Sequence, residues 1–74
     1  MDYLEYKHVV EEYMSDKGGL KVLKEDNRFY EDVMNHMHSY VIRSGNYTGK
    51  NAIKGLNENK DHFQRLIIEI KTEK

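Results

Sequence analysis

Three side chains near the middle of this 74-residue chain are of the types that form a serine nucleophile with its base: Asp32, His36 and Ser39. In a helix these residues, at positions i, i+4 and i+7, lie on one side. A working nucleophile also needs a pocket and donors for an oxyanion, and one stretch of helix surface supplies neither. The pattern therefore predicts a weak surface pair between Asp32 and His36, and a protein that is not an enzyme.

The histidines have the chemistry of a metal site but not its spacing. His36 and His38 are two residues apart, so in a helix their side chains point about 200° apart and cannot reach one ion. His8 and His62 lie on polar parts of separate segments. The chain has no cysteine, which excludes thiolate metal sites and disulfides together. The sequence predicts no metal and no other cofactor.

Residues 45–51, GNYTGKN, resemble a phosphate-binding loop. In the real motif four residues separate the glycines and Ser or Thr follows the lysine, whereas here three separate them and Asn51 follows Lys50. The loop also follows a predicted helix rather than a strand. The glycines are therefore predicted to form turns, and a weak anion site at the backbone amides near Thr48 is left open.

The elements that carry these side chains are predicted to be helices. Apolar residues recur at helical spacing, no stretch alternates as a strand would, and proline is absent. Three main helices are expected at about residues 2–17, 27–44 and 58–73, with short pieces near 20–25, helical or extended, and 48–56. The predicted N-caps are Asp2, Asp26 or Asn27, Thr48, and Asn57 or Asn59. The fold class is all-α, in a single domain over residues 1–74.

The core is predicted from the centres of the two strongest apolar stripes. These positions should hold the best-buried side chains because each stripe must be covered by the other helices. The short piece at 48–56 is expected to bury Ala52, Ile53 and Leu56. The predicted core consists of Phe29, Val33, Met37, Tyr40, Leu66, Ile67 and Ile70.

Each main helix also carries one large aliphatic residue on its polar side: Leu4, Ile42 and Ile68. Single exposed aliphatics are ordinary, but one opposite each stripe indicates a surface that binds protein. An alternative is a bundle in which one helix is buried on two sides, which would place Ile42 inside. With their polar neighbours, the predicted interface residues are Leu4, His8, His38, Ile42, Gln64 and Ile68.

Charge is divided between the two halves of the chain. Residues 1–37 contain nine acids and five bases, and residues 38–74 contain four acids and seven bases. The short piece at 48–56 followed by a longer helix is weakly typical of a helix-turn-helix, so a small DNA-binding regulator is the alternative function. Its predicted nucleic-acid contacts are Arg43, Lys50, Lys54, Lys60 and Arg65.

The size of the chain favours association. A domain of this length buries only about 60% of the surface that its unfolded chain exposes, so a partner or a second copy would stabilise it, and a two-fold homodimer is expected. No apolar run is long enough for a signal peptide or a membrane span. The expected location is the cytoplasm.

The composition resembles that of the short accessory proteins of bacteriophages and other mobile elements in AT-rich bacteria: small, free of cysteine, and rich in Lys, Glu, Asn, Ile and Tyr. This resemblance implies an inhibitor or adaptor that binds a larger host protein. The predicted function is thus a small non-catalytic protein-binding module.

Overall fold

The computed structural model describes residues 1–73 as four α-helices joined by short turns. In chain order these are α1 (Tyr3–Met14), α2 (Lys21–Glu25), α3 (Phe29–Gly45) and α4 (Ala52–Thr72), with 3₁₀ turns at Ser15–Lys17 and Gly49–Asn51. Helices make up 84% of the structure, and no strand occurs among the described residues. The predicted all-α class is confirmed, and the piece near residues 20–25 is helical.

None of the helices in residues 1–73 combines the length and the apolar character that crossing a membrane requires.

The first helix begins where it was predicted to begin, but α1 ends at Met14 and a 3₁₀ turn takes the place of its last predicted turn. The Asp2 carboxylate accepts a hydrogen bond from the backbone N–H of Glu5 at 2.9 Å, so Asp2 is the N-cap. After the 3₁₀ turn, Gly18 adopts a left-handed conformation with φ of 112°. A Cβ atom on Gly18 would lie 2.7 Å from the Val22 side chain, so both the conformation and the available space favour glycine here.

The third helix follows a turn held by Asp26. The Asp26 carboxylate accepts hydrogen bonds from the backbone N–H of Arg28 at 2.9 Å and from its guanidinium at 2.6 Å. At the other end, Asn46 is left-handed with φ of 53°, and the Tyr47 N–H donates to the Ile42 carbonyl at 3.0 Å. These bonds satisfy the final carbonyls of α3 and turn the chain towards α4.

The prediction of separate helices at 48–56 and 58–73 is wrong, because α4 runs without a break from Ala52 to Thr72. The break was predicted from Asn57 and Asn59 as capping residues. Asn59 instead lies buried inside the helix and directs its amide to other helices. An asparagine whose side chain is bonded elsewhere does not compete for its own backbone, so the helix continues.

The Asn59 side chain joins three helices. The Tyr6 hydroxyl of α1 donates to Asn59 Oδ1 at 2.7 Å, and Asn59 Nδ2 donates to the Met34 carbonyl of α3 at 3.0 Å. Asn59 is only 2% exposed, and burial raises the pKa of Tyr6 above its ordinary value. Buried polar groups of this kind are stable only when their hydrogen-bonding partners are present.

The tight packing of α3 against α4 depends on Gly55. A Cβ atom on Gly55 would lie 2.5 Å from Ile42 Cδ1 and 2.9 Å from the Tyr47 ring. Since real Cβ atoms do not approach so closely, only glycine allows these side chains to pack on α4 at this point. Ile42 lies on the side of α3 that was predicted to be polar, and α4 partly covers that side at this residue.

The predicted core is confirmed in part. Val33, Met37, Leu66 and Ile70 are buried, and Phe29 and Ile67 are half-buried. Tyr40 is 38% exposed, because it lies at the edge of the α3 stripe against His36 rather than beneath a helix. The full buried apolar set consists of Tyr3, Tyr6, Val10, Met14, Leu23, Val33, Met37, Val41, Phe63, Leu66 and Ile70.

Replacing Asn59 by Ala is expected to destabilise the domain by about 1–3 kcal/mol, because the buried Tyr6 hydroxyl loses its acceptor. The double variant Tyr6→Phe with Asn59→Leu removes both polar partners and should recover most of that loss. Urea unfolding followed by circular dichroism measures both. The control is Asn57→Ala on the exposed side of α4, which should change stability by less than about 0.5 kcal/mol. Equal stability of Asn59→Ala and Asn57→Ala would contradict the role given to Asn59.

Candidate protein-binding surface

The three aliphatic residues that predicted an interface have different environments. Leu4 is 67% exposed and Ile68 is 64% exposed. Ile42 is half-buried against Gly55. Ile42 is therefore less exposed than the other two, because it packs on α4 where the chain turns, and its place in an interface stays a prediction.

Ile42 and two other predicted residues share a cleft of about 450 Å³ at the end of α3. Ile42 and Tyr47 supply its apolar surface, and His38 and Arg43 lie at its polar edge. The structure thus brings His38 and Ile42 together with Arg43, which was predicted to contact nucleic acid. The complete lining is His38, Ser39, Ile42, Arg43, Asn46, Tyr47 and Thr48.

A second groove, of about 340 Å³, lies between α3 and α4 and is lined almost entirely by apolar side chains. The Tyr30 ring meets the Phe63 ring edge-on, with centroids 5.3 Å apart. Two predicted interface residues, Gln64 and Ile68, lie in this groove. Tyr30, Phe63 and Ile67 also line it, although their places in the apolar stripes had indicated core positions.

Two more exposed aliphatic residues lie on the same side of α4 beyond this groove, past Lys60 and Asn57. Ile53 is 64% exposed and Leu56 is 51% exposed, so the prediction that a short helix buries them is wrong. Because α4 is continuous, these residues face the same direction as the groove instead of folding back onto the core. At 100° per residue, Ile53, Leu56 and the groove residues of α4 fall within about 140° of arc.

Leu4 has a polar environment, unlike Ile68. Its cleft is lined by Asp2, Tyr3, Leu4, Arg65 and Glu69. The Arg65 guanidinium lies 4.1 Å from the centre of the Tyr3 ring, and the Tyr3 hydroxyl donates to Glu69. Lys7 Nζ also donates to Glu69, at 2.7 Å. These groups are already satisfied by one another, so they offer little to a partner. His8 is exposed one turn after Leu4.

Asp32, His36 and Ser39, which are of the types that form a serine nucleophile with its base, make different contacts in the structure. The Tyr13 hydroxyl donates to Asp32 Oδ2 at 2.7 Å. The His36 ring stacks on Tyr13, with centroids 3.8 Å apart and planes within 18°. Asp32 and His36 are thus both engaged by α1, whereas Ser39 lines the cleft that contains His38.

The predicted nucleic-acid contacts are distributed over α3, the 3₁₀ turn at Gly49–Asn51 and α4. Arg43 lies in the cleft at the end of α3, and Arg65 stacks on Tyr3. Lys54 and Lys60 are six residues apart on α4, which separates them by about 120° around the helix. Lys50 lies in the 3₁₀ turn before α4. The predicted helix-turn-helix of the C-terminal half is absent, since this region is one helix in the described structure.

The four histidines lie in different surroundings. His62 Nε2 is 3.0 Å from the Met1 carbonyl, and its ring packs near Tyr6. Within residues 1–73, no three His, Asp or Glu side chains are arranged to hold a metal ion.

The Glu69 cluster gives a prediction about pH. The hydrogen bonds from Lys7 and then Tyr3 lower the pKa of Glu69 below its ordinary value of 4.5. The stabilisation is therefore fully present above pH 4.5 and is lost as the pH falls through the lowered folded-state pKa. Between about pH 5 and pH 3, the melting temperature of the native protein should fall more steeply than that of Glu69→Gln. Glu12→Gln, on the exposed side of α1, is the control and should follow the native protein.

No known protein family, curated protein or solved structure matches the chain. A proposal for its function therefore depends on its own surfaces.

Proposed function

We propose that this chain is a small non-catalytic protein-binding module, and that the groove between α3 and α4 receives a helix of another protein. The observation that supports this most directly is the position of Ile68. This large aliphatic side chain is 64% exposed in a groove otherwise lined by Tyr30, Phe63, Gln64 and Ile67. The fold leaves it without a covering element.

The composition of the groove is that of an interface centre. Aromatic residues are enriched in such centres and carry much of the binding energy, while charged residues are depleted there. Here two aromatic rings and two isoleucines surround one neutral polar side chain. Fully burying one exposed aliphatic side chain contributes about 1.5–3 kcal/mol, so a few such contacts support a specific complex.

The shape of the groove favours a helical partner. It lies between two helices, and Leu56 and Ile53 are exposed on the same side of α4 beyond Lys60. An amphipathic helix that inserts apolar residues into a groove is a common form of recognition. Such a helix would complete the covering of α4, whose opposite side already packs on α1 and α3.

An inhibitor or adaptor of the phage or mobile-element type would act in this way. Binding through one apolar groove requires no active site, and the partner would be a larger host protein that displays a helix. A second copy of the chain is the alternative occupant. The alternative class, a small DNA-binding regulator, would require binding to duplex DNA that weakens steeply as the salt concentration rises.

The test is site-specific crosslinking with a matched pair of variants. A photoreactive residue in place of Gln64 should crosslink a partner protein in extracts of the source cell. Adding Ile68→Ser should remove this product, because a serine in the groove loses the apolar contact and weakens binding by at least about tenfold. Leu4→Ser is the control, since Leu4 is a comparably exposed aliphatic residue, at 67%, and lies on α1 outside the groove.

Circular dichroism should show that both serine variants stay folded. Equal crosslinking by the two variants would contradict the groove as the binding site. Salt-sensitive binding to duplex DNA by the native protein, unchanged by Ile68→Ser, would support the regulator instead.

A further inference from the structure

Two lysines bracket the groove between α3 and α4. Lys60 and Lys71 are eleven residues apart on α4, so they point in nearly the same direction, about three turns and 16 Å from each other. Lys71 Nζ lies 5.9 Å from the centre of the Tyr30 ring, at one end of the groove. Lys60 is one turn before Phe63 and Gln64, at the other end. Both lysines are exposed.

These lysines are among the bases of the described chain that form no ion pair. Lys7, Lys17 and Arg28 each have a carboxylate within 4 Å. Among residues 1–73, neither Lys60 nor Lys71 forms such a pair. Two acids are next to groove residues in sequence: Glu31 follows Tyr30, and Glu69 follows Ile68. Each points about 100° around its helix from that neighbour, and Glu69 is bonded to Lys7 and Tyr3.

The lysines also make a second copy a poor occupant. Suppose that two copies pack their α4 helices antiparallel, centred on the groove. Lys60 of each copy would then lie opposite Lys71 of the other. The register that pairs Ile53 with Ile68 is centred between residues 60 and 61. There Lys60 of one copy lies beside both Lys60 and Asp61 of the other, and Lys71 lies past the start of α4 at Ala52, so the repulsion applies to the register centred on the groove. Like charges brought together in an interface oppose binding and act as a filter against the wrong partner.

We infer that the groove selects an amphipathic helix whose apolar stripe is flanked by two acidic residues about three turns apart. This inference rests on the proposed function and names the chemistry of the partner. The apolar stripe would fill the space around Phe63 and Ile68, and the two carboxylates would meet Lys60 and Lys71. Charges at the rim chiefly set specificity, orientation and the rate of association, and their effect weakens with salt.

The inference is tested with synthetic helix-stabilised peptides that share one apolar stripe. One peptide has Glu at two positions eleven residues apart, and a second has Lys at the same positions. The native protein should bind the Glu peptide at least tenfold more tightly than the Lys peptide at low salt, by fluorescence anisotropy. Lys60→Glu with Lys71→Glu should reverse this preference. Lys50→Glu with Lys54→Glu makes the same change of charge outside the groove and should preserve it.

The outcomes separate this inference from the proposed function. Equal binding of the two peptides, or an absence of binding by either, overturns the acid-flanked helix as the occupant. The crosslink at Gln64 and its loss in Ile68→Ser then still decide whether the groove binds protein. Light scattering supplies the remaining outcome: a dimer of the native protein that Ile68→Ser dissociates would identify a second copy as the occupant and overturn the inference.

Discussion

The buried amide of Asn59 is the interaction on which the rest of this structure depends. It accepts a hydrogen bond from Tyr6 of α1 and donates one to the Met34 carbonyl of α3, while belonging itself to α4. A buried amide is costly unless both of its ends are bonded, so the three helices are held in one rotational setting rather than several. That setting determines which side of α4 faces inward.

The inward side of α4 packs against other parts of the chain at both of its ends. Gly55 lets Ile42 and Tyr47 pack closely at one end, and Leu66 and Ile70 are buried at the other. The short helix α2 places Leu23 in the same core, and Lys24 Nζ donates to the Glu73 carbonyl at 2.9 Å. Three helices cover only one side of α4, which has 21 residues, so within residues 1–73 its outward side stays exposed at Ile53, Leu56 and Ile68.

This open side differs in kind from the other surfaces of the molecule. Around Leu4, the charged groups of Arg65, Lys7 and Glu69 are satisfied within the chain. Around Ile68, the neighbours are aromatic and aliphatic, and the charges stand only at the two ends. An apolar groove with unpaired charges at its ends has more to gain from a partner than a cluster that is already paired.

The sequence by itself determined the all-α class, the amphipathic helical segments, the first N-cap and part of the core, because these follow from local spacing. Asp2 is the N-cap that the pattern predicted, and Val33, Met37 and Leu66 are buried as expected. It also identified Leu4 and Ile68 as exposed aliphatics. Only the tertiary structure decided that Asn59 is a buried link rather than a cap, that Ile42 is covered, and that Ile53 and Leu56 are not. Each of these environments depends on a residue that is distant in the chain. Periodicity shows which residues share one side of a helix, but not which other helix packs against that side.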